Sequence, residues 1–404
     1  MTGISAIRPA IGLWRNARVQ RFAIQTAFLG LVAAFGYYLI DHARDLDLGF
    51  DFLQARAGFD ISHQFGTSYG QNDSRRDLYV AGVINTIRLA GIGIVLATLL
   101  GLVVGVARLS GNWLVSRLAT VYVETVRNTP LLIQIIFWYI AIFLQLPPIG
   151  DSISLPPDKL SLFPGLDIPF ISFDVAFLSV RGLALPWATT ENGFGLWLIL
   201  LVIAAAVAIA VRIWRVQRQE RTGQPSHPTW WFLGTFAIIA LLGFTIAGFP
   251  LDPVRPEVGA RNYVGGIRVT TNFAAILVAL VTYTGAFIAE IVRGSLQAVP
   301  KGQTEASAAL GLNSFQRLSL VTLPQALRIM IPPLTSQYLN LTKNSSLAIA
   351  IAFPELFSIS RTIMNNAGSA VPMFIIIMAT YLSMSLVISL VMNAIHSRFT
   401  LGAT

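Results

Sequence analysis

Residues able to do chemistry are few in this 404-residue sequence, and most sit in or beside long apolar runs. Lys343, Asn344, Ser345 and Ser346 place an ammonium, an amide and two hydroxyls at consecutive positions. Such donors suit a carboxylate. The alternative is structural: Lys343 snorkels its ammonium to a membrane surface or pairs with Glu290 or Glu355. Asn85, Thr86 and Arg88 at the end of one run, and Thr282, Tyr283 and Thr284 within another, can line a path. Glu124 and Arg127 are three apart, as are Glu290 and Arg293, so each pair shares a helix face and can form an ion pair. Such pairs act as scaffold or as a gate. Glu305-Ala306-Ser307-Ala308-Ala309-Leu310-Gly311 reads as a short, small-sided helix. It is too short for a core helix, and a partner's backbone can approach it closely. It is therefore expected to be a docking element.

Other chemistry is excluded. The chain has no cysteine, which removes disulfides, thiol nucleophiles and cysteine metal sites. His42, His63, His227 and His396 are scattered without ligand spacing. No acid/base or metal cluster is evident, and no Gly-x-x-x-x-Gly-Lys-Ser/Thr loop occurs. The chain itself is expected to bind no ATP, no metal and no other cofactor, and not to be an enzyme.

These residues must be positioned by membrane-spanning helices. The sequence is 54% hydrophobic and only 12% charged, against about 25% charged in soluble domains. The fold class is an all-α polytopic membrane protein; the alternating ten-residue segments of a β-barrel are absent. Eight apolar runs are long enough to cross, at about 22–40, 80–108, 118–145, 195–213, 230–249, 272–297, 325–352 and 372–397. The first is read as a retained span, because no small-x-small cleavage site follows it. Trp230-Trp231 opens the fifth as an interfacial pair, and Pro332-Pro333 must kink or break the seventh. The net charge of +9 would suggest nucleic acid in a soluble chain. Here it is read as arginines held on the cytoplasmic side, with no nucleic-acid partner. Placing both termini inside gathers Arg108, Arg117, Arg212, Arg215, Arg218, Arg221, Arg293, Lys301, Arg317, Arg328 and Arg398 there. Two long outer segments result, about 41–79 and 146–194; the second is rich in proline and aromatics. It is either a lid or docking ledge or an inert insertion.

The segment 300–324 lies between the sixth and seventh spans. Pro300-Lys301-Gly302 ends the sixth span, and Thr304 is expected to cap the short helix. Glu305 then falls in the first turn, where a carboxylate suits the helix dipole. Gly311 suits a left-handed cap, Ser314 the start of a second helix, and Leu323-Pro324 the start of the next span. This pattern resembles the signature loop of ABC importer membrane subunits: Glu-Ala-Ala, three residues, Gly, nine residues, Ile, one residue, Leu-Pro. Every spacing holds; Ser307 replaces the second Ala and Val321 replaces Ile. Tyr122 to Gln134, with Arg127-Asn128-Thr129-Pro130-Leu131, is similar to the Arg-Gly-Thr-Pro-Leu segment of polar amino-acid permeases. Thr284 to Leu296 and Lys343-Asn344-Ser345-Ser346-Leu347 also resemble that family, and within it the long Q-type subunits of general L-amino acid importers.

The resemblance implies a five-helix type I importer core. On that reading, 1–79 holds the cytoplasmic N-terminus, an extra span and a periplasmic loop, and 80–145 the first two core spans. Residues 146–271 form an inserted periplasmic segment and a transmembrane hairpin, and 272–404 the last three core spans with the coupling loop. The implied function is the permease subunit of an ATP-driven L-amino acid importer in the bacterial inner membrane. The implied coupling residues are Glu305, Ala306, Ser307, Ala309, Gly311, Leu323 and Pro324; Lys343, Asn344, Ser345, Ser346, Thr282 and Thr284 are substrate-path candidates. The implied partners are a cytoplasmic ATPase dimer carrying ATP and Mg, a second permease chain of M-type, and a periplasmic amino-acid-binding protein. The alternative function is an ion-gradient-driven secondary transporter, which calls for intramembrane carboxylates and inverted repeats. A third class, membrane enzyme or scaffold, lacks a clustered catalytic set.

Overall fold

The computed structural model describes residues 17–43, 49–61, 69–155, 176–190, 192–223, 227–259 and 262–400. Arg8, Arg15, His63, Asp158, Asp167 and Asp174, together with the aromatic tract 156–175, lie outside them.

The chain folds as a multi-pass helical protein. α1 spans Ala17–Ala43, α2 Arg75–Ala107 and α3 Trp113–Arg127. α4 is Leu131–Phe137, α5 Phe194–Thr222 and α6 Pro228–Ile246. α7 is Thr271–Gln297, α8 Lys301–Ala309 and α9 Ser314–Gln316. α10 is Leu323–Asn344, α11 Leu356–Ala367 and α12 Ala370–Thr400. Among the described residues, α2, α5, α6, α7 and α12 are each long and apolar enough to cross a membrane. Two bent pairs raise the count to seven if each is one span. The expected eighth span is α1, whose described apolar stretch, Ile24–Tyr38, is shorter.

The third expected span is not continuous. α3 and the helical segment Leu131–Gln145 meet at 105°. Pro130 is the cause: it has no N–H to donate and disfavours helical geometry at Thr129. Gln134 repairs the break, its Nε2 donating to the carbonyls of Val126 at 2.9 Å and Thr129 at 3.0 Å. The seventh span departs in the opposite sense. α10 runs unbroken through Pro332 and Pro333, although the carbonyls of Arg328 and Ile329 lose their helical donors there. The bend, 56°, comes beyond the 3₁₀ turns of Ser345–Ile351, before the unanticipated α11.

α7 is the central helix, the most deeply buried of the five membrane-length helices. It packs most extensively on α2. α2 offers it Gly93, Ala97, Gly101 and Gly105, all buried and four residues apart. This small-residue stripe lets the two backbones approach closely. A Cβ on Gly101 would stand 2.4 Å from Ile288 Cγ2 and 3.0 Å from the Gly285 carbonyl. α10 packs on α7 and α12, and α11 on α2. Leu89, Ile135, Ile276, Leu280, Ile288, Met330, Leu341 and Phe353 fill the core between them.

Short strands, absent from the sequence reading, join the segments on either side of the α5–α6 hairpin. β1 (Ile153–Leu155), β2 (Ala176–Ser179), β3 (Gly182–Leu185) and β8 (Ile267–Val269) form an antiparallel sheet in that order. Leu183 opposes Val269, so 186–266, hairpin included, is a single excursion from this sheet. Within it, β4 (Trp187–Thr190) pairs with β5 (Leu251–Val254), and β6 (Glu257–Val258) with β7 (Tyr263–Val264). Gly182 makes the β2–β3 turn at φ 112°, and a Cβ there would stand 2.1 Å from the Val269 carbonyl. Burial lowers the pKa of the Arg268 guanidinium on β8, with neighbouring Arg181 adding to the shift.

Candidate functional site

α8 projects between the ends of α7 and α10, and its local chemistry explains both of its ends. Pro300 is the N-cap, so the helix starts at Lys301, a turn earlier than expected. Thr304 is therefore no cap; its carbonyl accepts from Ser307 Oγ at 2.8 Å. Glu305 lies in the second turn rather than the first. The far end matches expectation. Gly311 adopts φ 80°, its N–H donating to the Ala308 carbonyl at 2.9 Å, and Leu312 N–H donates to the Ser307 carbonyl at 3.2 Å. That is a Schellman closure, which satisfies the last carbonyls and stops the helix. Asn313, not Ser314, caps the next helix, in a reciprocal capping box with Gln316. A π-helical segment, Arg317–Thr322, then runs directly into α10 at Leu323-Pro324.

Lys301 to Leu310 are exposed except Ser307. Glu305, Ala306, Ala308 and Ala309 thus face outward on a thin helix. Leu310 is 80% exposed and Phe315 77% exposed beside it. Gln325 steadies the loop, its Nε2 donating to Gln303 Oε1 at 3.4 Å and to the Val321 carbonyl at 3.0 Å.

The α8 end of the bundle carries a charged cluster. Glu290 is bound by Arg108 and Arg293 and lies 3.9 Å from Arg127. Arg108 also reaches Glu124 at 3.5 Å. The expected Glu290–Arg293 pair is present. The expected Glu124–Arg127 pair is not, because each finds a partner on another helix. The Arg127 guanidinium also sits 5.1 Å from the Phe287 ring centroid. Arg108 follows α2, so one nearly buried guanidinium ties α2, α3 and α7 together. The sequence alone places Arg108 only on one side of the membrane, because its partner Glu290 is 182 positions away.

The path candidates separate. Lys343 and Ser346 line a cleft of ≈ 570 Å³ with Phe357, Ile377, Met378 and Tyr381. Lys343 is exposed and, among the described residues, has no carboxylate within 4 Å. The proposed partners are otherwise engaged, Glu290 by arginines and Glu355 by α11. Asn344, Ser345, Thr282 and Thr284 do not line the cleft. Ser345 is buried and donates to the Thr342 carbonyl at 2.7 Å. Thr284 is buried in α7, and Thr282 donates to Val278 of its own helix at 2.8 Å.

Asn85 and Thr86 do other work than lining a path. The bend before α11 leaves backbone groups without helical partners, which inside a membrane must be met by protein. Asn85 Nδ2 donates to the Pro354 carbonyl at 2.9 Å, and Leu356 N–H donates to Thr86 Oγ1 at 2.9 Å. Asn272 Nδ2 donates to the Ile351 carbonyl at 2.6 Å. Fully buried Glu355 caps α11, accepting from the N–H groups of Phe357 at 2.8 Å and Ser358 at 2.6 Å and from Tyr381 O–H at 3.2 Å. The signal for α11 was the spacing of Leu356, Ile359, Ser360 and Ile363, all on one buried face.

Comparisons with known proteins give the family. Residues 93–401 match the family model described as binding-protein-dependent transport system inner membrane component. The chain is 44% identical to the general L-amino acid transport system permease protein AapQ of Rhizobium johnstonii, over 87% of this chain and 84% of that one. It is 39% identical to the putative amino-acid ABC transporter permease protein YhdX of Escherichia coli, over 89% and 87% respectively. It is 36% identical to the glutamate/glutamine/aspartate/asparagine transport system permease protein BztB of Rhodobacter capsulatus, over 94% and 93%. The family match takes in α2 from Gly93 onward, α7, the charged cluster, α8 and the Glu355 cap of α11. The chain belongs to the binding-protein-dependent transport system inner membrane component family.

Proposed function

We propose that this chain is the permease subunit of an ATP-driven importer of L-amino acids. The observation that carries the reading is α8: a projecting helix, exposed on all but one residue and closed at Gly311 by backbone geometry. A cytoplasmic ATPase dimer grips Glu305, Ala306, Ala309 and the adjoining Leu310. Leu323 and Pro324 carry the push into α10, and α7 receives it through Pro300. ATP and Mg belong to that partner. Because the glycine stripe and the charged cluster bind α2, α3 and α7 into one body, movement of α8 shifts them together, alternating the access of the pore.

A second permease chain, of a different M-type sequence, completes the pore, and an external amino-acid-binding protein delivers the substrate. The amino-acid cargoes of these relatives support amino acids as the cargo class. Within the chain, Lys343 is the group suited to a substrate carboxylate, since it lines the cleft and, among the described residues, has no carboxylate within 4 Å. The arginine distribution supports a bacterial inner-membrane orientation with both termini cytoplasmic. Glu305→Arg tests the coupling. Insertion is expected to be intact, with uptake and substrate-stimulated ATPase activity both lost; normal uptake refutes the assignment of α8.

A further inference from the structure

The α5–α6 hairpin carries a second feature that transport through α8 does not use. α5 has 29 residues, about 43 Å at 1.5 Å per residue, against a hydrocarbon core of about 30 Å. Its final turns therefore extend beyond the apolar layer, and they carry Arg212, Arg215, Arg218 and Arg221. Residues three apart step back about 60° around a helix, so these four cover about half its circumference. Glu220, the acid among them, points about 80° outside that band by the same geometry.

Aromatic rings fix part of the band. The Arg215 guanidinium lies 3.9 Å from the Trp231 ring centroid and 5.3 Å from that of Trp214. The Arg218 guanidinium lies 5.5 Å from Trp214. Tryptophans of this kind sit at headgroup level. Arg212, Arg218 and Arg221 are exposed, and among the described residues no carboxylate comes within 4 Å of them. Arg108, Arg127 and Arg293 differ, sharing Glu290. The hairpin's apolar flanks are open as well: Val202 is 69% exposed and Leu241 67% exposed. α5 and α6 pack chiefly on each other, so their outer faces are open to a surrounding bilayer.

We infer that the Arg212–Arg221 band and its tryptophans form a binding site for an anionic phospholipid headgroup of the leaflet that meets this end of α5. The phosphate lies between Arg212 and Arg218, whose Cα atoms are about 9 Å apart along the axis. Arg215, stacked on Trp231, forms the floor between them. The acyl chains run along the exposed faces of α5 and α6. The ligand class follows from charge complementarity with nearby acyl-chain surface, as for other juxtamembrane arginine clusters.

The test uses the assembled importer in bilayers and compares spin-labelled phosphatidylglycerol with spin-labelled phosphatidylcholine. The wild-type complex is expected to prefer phosphatidylglycerol, and the preference is expected to weaken with salt. Arg212→Gln with Arg218→Gln is expected to reduce that preference by roughly fivefold per arginine removed. Arg215 and Arg221 are kept in this variant to hold the orientation of the hairpin. Arg212→Lys with Arg218→Lys retains the charge and is expected to keep most of the preference. At matched ionic strength, inorganic phosphate is expected to displace no more label than chloride does. An unchanged preference in the glutamine variant overturns the site, as does a wild-type complex with no salt-sensitive preference. Displacement by inorganic phosphate beyond that by chloride overturns the lipid assignment in favour of a free anion.

Discussion

The glycine stripe of α2 makes a prediction whose size follows from the packing. Gly101→Ala adds one methyl at the closest approach to α7. The new Cβ would stand 2.4 Å from Ile288 Cγ2, 2.5 Å from Ile288 Cβ and 3.0 Å from the Gly285 carbonyl. Ile288 is fully buried, so its side chain has little room to rotate away. Contacts between carbons settle at about 3.5–4.0 Å, so the helices must part by about 1 Å. Overpacking of this kind costs about 1–3 kcal/mol. Gly91 on the same helix supplies the control, because a Cβ there meets nothing within 4 Å. Gly91→Ala is expected to be neutral or stabilising by up to about 1 kcal/mol, since alanine is the better helix former. The assay is the thermal stability of the purified complex, measured with ATP-coupled uptake. Gly101→Ala is expected to lower both, and Ile288→Ala added to it is expected to recover part of the loss, a coupling that distant sites do not show. Equal tolerance of Gly101→Ala and Gly91→Ala refutes the close approach of α2 and α7.

Two further substitutions probe the polar framework. Glu290→Gln leaves Arg108 without its main carboxylate; Arg108 is 9% exposed and Glu290 28%. A loss of about 1–3 kcal/mol is expected in the stability of the complex. Glu124→Gln, at a carboxylate 55% exposed, is expected to cost under about 1 kcal/mol; equal losses contradict the network. Glu355→Ala removes an N-cap whose replacement costs about 0.5–2 kcal/mol, and it strands the Phe357 and Ser358 N–H groups in a buried site. Stability is expected to fall with Glu355→Ala and to recover substantially with Glu355→Asp, which offers the same two acceptor oxygens on a shorter stem.

What the sequence makes legible here depends on how local the cause is. The spans that became α2, α5, α6, α7 and α12 are long uninterrupted apolar runs, and such runs declare themselves. The stop of α8 was equally plain, since Gly311 needs no distant partner to reach φ 80°. Its start was misplaced because Thr304 is a better intrinsic cap than Pro300, and the chain used the fixed φ of proline instead. The bend at Pro130 could have been read from Thr129-Pro130 itself, had the apolar run not masked it. Pro332 and Pro333 show the converse: tertiary packing carries a helix through residues that disfavour it. The strands were invisible because they are two to four residues long, and β3 finds β8 only across the whole hairpin. The partners of Arg108, Asn85 and Thr86 were invisible for the same reason, as distant segments contribute them.

On the proposed function, α8 is the element an ATPase grips. Because the chain contains no cysteine, Ala306→Cys places a single thiol on the exposed face of that helix. The decisive measurement is disulfide or short-linker cross-linking of that thiol to cysteines introduced over the ATPase surface, in the assembled importer with and without ATP. A specific cross-link whose yield changes with ATP is expected, together with retained uptake before the link is made and loss of uptake after it. Absence of any link from Ala306→Cys to the ATPase, in a complex that still transports, contradicts that role of α8.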